Sequence, residues 1–316
     1  MLGFIDAIDI IDAVASIIPI AAIFPIVSIA AIISIASIVA IVTIVAIVTI
    51  IAIVAIKNSQ FSMYRIGLTL SGGGAKGLAH AGVLKALEEY GLRPQILSGV
   101  SAGAIVAALY ADGKTPDEIC YFFKQTKFMD YIGFIRPKKG LLSTRKFEKM
   151  ISEAISAKTF EELKLPLYIN ATELTVGENA VFSSGPLIEK IVASTSVPIF
   201  LTPKEIDGKV YVDGGIFNNM PASLIRSQCK FLIGCHVNPI RYDNTVHSTT
   251  QIIERVYNLS IQSSTVPEKK ICNLVLEPDK AKQYGMFDTD HFEDIFNIGY
   301  EHTMETLLNT KIELPL

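Results

Sequence analysis

The sequence has no tryptophan, 4 cysteines, 5 histidines and no marked excess of one charge. Each shortage excludes something. Cys120, Cys229, Cys235 and Cys272 form no C-x-x-C pair and match no zinc-ligand spacing. Their pattern is that of reduced core thiols in a cytoplasmic protein. The 28 basic and 31 acidic residues give a formal charge of −3, and no basic stripe of the kind that holds nucleic acid is present. No basic residue precedes the first apolar run, which argues against a secretory signal peptide. What is abundant is apolar surface: half of the residues are hydrophobic, and mean hydropathy is +0.41. The length of 316 residues allows one large α/β domain plus an appendage.

The appendage is residues 1–62. Asp6, Asp9 and Asp12 are the charges that precede Lys57. From Ala13 to Ile56 the chain is almost wholly Ile, Ala, Val, Ser and Thr, with a six-residue repeat beginning at Ile41. About 20 apolar residues cross a bilayer. Pro19 and Pro25 interrupt a helix, so a single span is expected between Ile26 and Ile56. Lys57 and Arg65 follow it and would hold the rest of the chain on the cytoplasmic side. Two other readings stay open. The stretch is a β-branched, aggregation-prone segment without function, or Met63 is the true start and the protein is cytoplasmic.

From Met63 to Leu316 the pattern alternates strands and helices, which predicts a mainly parallel sheet covered by helices. Strands are expected at Arg65–Leu70, Gln95–Val100, Leu165–Leu174, Ala180–Ser183, Lys209–Val212, Phe231–Val237 and Asn273–Glu277. Helices are expected at Leu78–Tyr90, after Ser101 to Ala111, from Thr115, at Thr144–Ser156, from Gly185-Pro186 to Ala193, and at Thr289–Leu308. Thr115-Pro116-Asp117-Glu118 reads as a capping box with Pro in the first turn. An aromatic-rich stretch (Tyr121, Phe122, Phe123, Phe128, Tyr131, Phe134) reads as a packed helix, or as a lid that contributes to a pocket wall.

The chemistry concentrates at three turns. Gly99-Val100-Ser101-Ala102-Gly103 fits the sharp strand-to-helix turn that lifts a nucleophilic hydroxyl out of a sheet. A serine hydroxyl needs a base. None of His80, His236, His247, His291 and His302 sits in a comparable Gly-rich turn. Each reads first as an ordinary core or surface histidine, and His236, near a strand end, is kept as an alternative base. Asp213 is the stronger candidate, a carboxylate at a strand end before Gly214-Gly215; in a parallel sheet such strand ends converge on the carboxyl edge, where Ser101 also emerges, and an ordinary Asp-Gly turn is the competing reading. Partial desolvation would raise its pKa toward that of a useful base. Gly72, Gly73 and Gly74 follow a strand and open a helix, so their N–H groups can receive the negative oxygen of an acyl-transfer intermediate. The Gly72-x-Gly74-x-x-Gly77 pattern also fits a dinucleotide phosphate turn, but no acidic residue ends a strand about 20 residues later, as ribose recognition requires. Lys76 is a candidate to hold a lipid phosphate or the turn itself.

Together, Gly72-Gly73-Gly74-Ala75-Lys76-Gly77, Gly99-Val100-Ser101-Ala102-Gly103 and Asp213-Gly214-Gly215 resemble the motifs of the patatin-like phospholipases, in that family's order. Ala193–Phe200 resembles the Ser- and Pro-containing segment that precedes its aspartate. The resemblance covers about residues 64 to 310. It implies a three-layer α/β/α sandwich and a Ser-Asp dyad, with Ser101 as nucleophile and Asp213 as general base. It also implies an acyl-enzyme, an oxyanion turn at Gly72–Gly74, lipid acyl esters as substrate, and no metal or other cofactor. A membrane surface is the expected partner. The alternatives are an esterase with a Ser-Asp-His triad of α/β-hydrolase type, and a membrane-tethered scaffold that binds lipid without cleaving it.

Overall fold

The computed structural model describes residues 37, 42–49, 63–125, 133–134, 142–240, 248–286, 288 and 290–312. The chain divides into two compact units, Met1–Ser62 and Met63–Leu316. In the first, residues 42–49 are helical, and the Thr49 hydroxyl donates to the Val45 carbonyl at 2.7 Å. Ser37 is helical as well, and the other residues of the expected span at 26–56 lie outside the described residues. No helix of the described residues is long and apolar enough to cross a membrane.

The second unit is built on an eight-stranded sheet. Its strands are β1 (Tyr64–Leu70), β2 (Ile96–Gly99), β5 (Leu167–Glu173), β6 (Glu178–Phe182), β7 (Lys204–Ile206), β8 (Lys209–Asp213), β9 (Cys229–Cys235) and β10 (Leu274–Leu276). A separate antiparallel pair joins β3 (Gly133–Phe134) to β4 (Leu142–Ser143). The main order is β10-β9-β1-β2-β5-β8-β7, with β6 added to β5. From β10 to β5 the strands are parallel; β6, β7 and β8 are paired antiparallel. β1 is buried over its last five residues, as expected for a strand covered on both faces.

Seven helices of the described residues cover the sheet: α1 (Ala79–Glu89), α2 (Ala102–Asp112), α3 (Pro116–Gln125), α4 (Arg145–Ala154), α5 (Ile188–Thr195), α6 (Thr249–Lys270) and α7 (Phe292–Asn309). Strand alternation sorts the core into two sides. Leu68, Leu97 and Ile233 pack with Leu84, Ile105 and Phe296 in the larger cluster, under α1, α2 and α7. Ile96 and Leu232 point the other way, onto Ala222, Ile225 and Cys229. The result is a three-layer α/β/α arrangement, thick on one face and thin on the other. The expected capping box at α3 is present: the Glu118 N–H donates to Thr115 Oγ1, and the Thr115 N–H donates to Glu118 Oε2.

One expectation is corrected. Asp213 does not end a parallel strand beside Ser101. β2 runs parallel to β5 and β8 runs antiparallel to it, on the same edge. Gly99 lies opposite Ile169, and Asp213 lies opposite Ala171, two residues further on. β6 occupies the other edge of β5. The carboxyl ends of β2 and β8 therefore run toward each other and meet head to head.

Candidate active site

Ser101 sits at the meeting point, between β2 and α2. Its backbone is held at φ 53°, ψ −127°, a left-handed conformation that a non-glycine residue adopts only under constraint. The constraint is visible. The Ser101 N–H donates to the Ser194 hydroxyl at 2.9 Å. Gly103 packs its backbone on β1, where a Cβ would lie 2.3 Å from the Leu70 carbonyl oxygen. A larger residue there would push the start of α2 off the sheet. The flanking glycines are thus required by close backbone approach.

Asp213 is fully buried. Its N–H donates to the Ser196 carbonyl, and its own carbonyl accepts from the Thr172 hydroxyl, both at 2.9 Å. Its Oδ1 accepts from the Gly215 N–H at 2.8 Å, while Oδ2 has no well-formed hydrogen bond. Burial pushes the carboxyl pKa up to about 6. The nearby Ser101 hydroxyl, the Gly215 N–H and the Tyr257 hydroxyl pull in the opposite direction. The outcome is a carboxylate ionised at neutral pH yet much more basic than an exposed one.

The histidines lie elsewhere. His236 Nδ1 is 3.0 Å from Glu277 Oε1, an oxygen that also accepts from Lys269. His80 sits between the Ser71 carbonyl and Cys235 Sγ. His291 pairs with Asp288, and His302 accepts from the Glu277 N–H. His247 lies outside the described residues. The groups acting on Asp213 are a serine, a tyrosine and a backbone amide. His236, the alternative base, bonds Glu277 through Nδ1 alone; its Nε2 has no partner among the described residues, and the residue lines neither cavity beside Ser101.

The Gly-rich turn also takes a more specific shape than its sequence suggested. The Gly72 N–H donates to the Asn219 carbonyl at 3.2 Å and the Ala75 N–H to the Met286 carbonyl at 2.8 Å. Gly72 is therefore not an available donor. The Gly73 and Gly74 amides, between these two anchors, have no hydrogen-bond acceptor among the described residues. Lys76 is buried and donates to the Tyr284 carbonyl at 3.4 Å. It holds the turn to the 284–286 segment and lines neither cavity beside Ser101.

Two cavities reach Ser101. One, of about 60 Å³, is apolar, walled by Ile105, Phe123, Val197, Leu201, Met286 and Phe292. Phe123 comes from the aromatic-rich stretch; Phe128 and Tyr131 of that stretch lie outside the described residues. The other cavity, of about 10 Å³, is bordered by Gly72, Gly73, Gly74, Asn219, Asn238 and Tyr257. Sequence reasoning missed Asn219 and Tyr257. Asn219 follows Asp213 by six residues, a proximity that could have flagged it. Tyr257 carries no local signal, since α6 brings it in from a distant part of the chain.

Among curated proteins, the chain is 33% identical to an uncharacterized NTE family protein of Mycobacterium tuberculosis over 164 residues, covering 51% of this chain and 45% of that protein. It is 26% identical to lysophospholipase NTE1 of Kluyveromyces lactis, covering 79% of this chain and 20% of that protein. For patatin-like phospholipase domain-containing protein 7 of Rattus norvegicus the figures are 27%, 75% and 20%. The chain thus spans less than half the length of these relatives. Of solved structures, VipD from Legionella pneumophila overlays 78% of this chain and 66% of its own, with 16% identity and a TM-score of 0.46. A family model described as patatin-like phospholipase matches residues 68–225, half of the chain and the half that holds both Ser101 and Asp213. By that match this protein belongs to the patatin-like phospholipase family.

Proposed function

We propose that the protein is a serine acyl hydrolase of lipid esters, phospholipids or lysophospholipids, working through a Ser101-Asp213 dyad. The observation that carries the reading is the head-to-head meeting of β2 and β8, which sets a buried carboxylate of raised pKa against a serine on a strained elbow. In the first half-reaction, Ser101 Oγ attacks the acyl carbonyl carbon and its proton passes to Asp213. The carbonyl oxygen becomes an oxyanion and accepts hydrogen bonds from the Gly73 and Gly74 amides. The C–O bond to the leaving alcohol breaks, and Asp213 returns the proton to that alcohol. In the second half-reaction, Asp213 takes a proton from water, whose oxygen attacks the acyl-serine. The fatty acid leaves and the proton returns to Ser101 Oγ. No step requires a metal or a cofactor.

The apolar cavity supports an acyl-chain substrate, because an alkyl chain gains about 0.8 kcal/mol for each CH₂ transferred from water. Membrane association, with residues 63–316 as a cytoplasmic hydrolase domain and residues 1–62 as its apolar appendage, is part of the same proposal. It is supported by the long Ile/Ala/Val run followed by Lys57 and Arg65. Release of fatty acid from mixed phospholipid vesicles tests the function. Turnover by the parent protein, abolished in Ser101→Ala, is expected. Absence of both turnover and fluorophosphonate labelling in the folded parent would favour the lipid-binding scaffold instead.

A further inference from the structure

Ser71 and His80 are fully buried, line neither cavity beside Ser101 and take no part in the dyad. They enclose the peptide that opens the Gly-rich turn. His80 Nε2 lies 2.8 Å from the Ser71 carbonyl oxygen, and His80 Nδ1 lies 3.1 Å from Cys235 Sγ. A carbonyl can only accept, so Nε2 carries the proton and Nδ1 is left to accept from the Cys235 thiol. Burial, which lowers the His80 pKa to about 4, keeps the ring neutral in that tautomer. The Ser71 N–H donates to the Cys235 carbonyl at 3.0 Å. The Ser71 hydroxyl accepts from the Val237 N–H and donates to the Gly72 carbonyl, both at 3.1 Å. Every polar group of Ser71 is thus engaged.

Two successive peptides are fixed by these bonds. The peptide joining Ser71 to Gly72 is held at both ends, its carbonyl by His80 and its N–H by the Asn219 carbonyl. The peptide joining Gly72 to Gly73 is held through its carbonyl, by the Ser71 hydroxyl. In a trans peptide the carbonyl and the N–H point in opposite directions. Fixing the Gly72 carbonyl against the buried Ser71 side chain therefore turns the Gly73 N–H the other way, and Gly73 borders the polar cavity shared with Ser101. No Cβ on either side opposes rotation of this Gly-Gly peptide, so the Ser71 hydroxyl supplies the restraint. We propose that Ser71, seated by His80, is a positioning residue that keeps the Gly73 amide aimed at the oxyanion. The inference rests on the hydrolase reading above. As Ser101 Oγ bonds to the acyl carbon and its proton passes to Asp213, the carbonyl π pair moves onto oxygen, and the donor that meets it is already in place. Without the Ser71 hydroxyl, the peptide is free to rotate and to present its carbonyl, which repels that charge.

The test is steady-state hydrolysis of p-nitrophenyl butyrate by the full chain, with active sites titrated by a fluorophosphonate, alongside inhibition by an alkyl trifluoromethyl ketone. Ser101 Oγ adds to the carbonyl carbon of that ketone, Asp213 takes the proton, and a stable oxyanion is left in the turn. In Ser71→Ala, kcat should fall by between about tenfold, the size of one neutral hydrogen bond, and about a hundredfold, the size of a lost oxyanion donor. KM should stay within about twofold, because the interaction is made in the transition state. The inhibition constant of the ketone should rise by the same factor by which kcat/KM falls. A lower melting temperature with unchanged kcat per titrated site would overturn the inference and leave Ser71 a structural residue. A fall in kcat with unchanged ketone inhibition would overturn it as well. If the alanine variant fails to fold, His80 supplies the comparison. His80→Gln keeps an N–H donor for the Ser71 carbonyl and should retain most of the parent kcat, whereas His80→Leu should lose both kcat and ketone affinity. Equal values in those two variants would overturn the inference. No Ser101-dependent turnover by the parent protein would instead sink the hydrolase reading itself.

Discussion

At Asp213, stability and chemistry pull against each other. Its pKa is raised from 3.8 to about 6 by burial. The native state therefore binds more protons than the unfolded chain between about pH 4 and pH 6, and this group's contribution to stability falls as pH rises through that window. At neutral pH the penalty is on the order of 3 kcal/mol. Asp213→Asn keeps an oxygen for the Gly215 N–H and removes the charge. It is expected to raise the melting temperature by several degrees while abolishing turnover, as thermal unfolding and ester hydrolysis measured together will show. Tyr257 works in the other direction, because its hydroxyl lowers the Asp213 pKa. In Tyr257→Phe the acid limb of kcat/KM should move to higher pH, with activity recovered on the alkaline side; an unmoved limb would remove Tyr257 from the site. Ser101 and Asp213 were legible in the sequence because strand-end turns with glycines leave a local mark. The fate of Gly72 and Lys76 was not legible. Which amide stays available, and which way a lysine turns, depends on Asn219, Tyr284 and Met286, all more than a hundred residues away.

Among the elements, α6 is the one the sequence hides. Thr249–Lys270 is rich in Ser, Thr and β-branched residues and contains Pro267. Ile252, Val256 and Leu259 are exposed, so no apolar stripe marks its buried face. Its one readable sign is the Ser248–Gln251 capping box. β7 was also missed, although Asp207-Gly208, both at positive φ, form the tight turn expected of a hairpin. The antiparallel course of β8 follows from that hairpin and creates the head-to-head meeting with β2. The contact of α1 with α7 rests on paired glycines: a Cβ on Gly82 would lie 2.0 Å from the Phe296 carbonyl oxygen, and one on Gly299 would lie 2.1 Å from that of Ala79. Gly299→Ala should cost about 2 kcal/mol or more through forced helix separation, while leaving the rate per folded molecule unchanged. Chemical denaturation with active-site titration checks both halves of that expectation.

At the scale of the molecule, the two units Met1–Ser62 and Met63–Leu316 are expected to divide the labour. A chain starting at Met63 should hydrolyse a water-soluble ester as fast as the full chain but act more slowly on vesicles. Equal vesicle rates would remove the apolar segment from substrate access. The parallel half of the sheet was readable from its alternating strands and helices. Joining both catalytic residues required the strand order, because Ser101 and Asp213 stand more than a hundred residues apart and become neighbours only through β5. The central claim is that a lone carboxylate activates the serine, and the rate of fluorophosphonate labelling against pH tests it most directly. Labelling should rise through about pH 6 in the parent protein, fall by orders of magnitude in Asp213→Asn, and stay within a fewfold of the parent rate in His236→Ala. Normal labelling of Asp213→Asn, together with its loss in His236→Ala, would contradict the account.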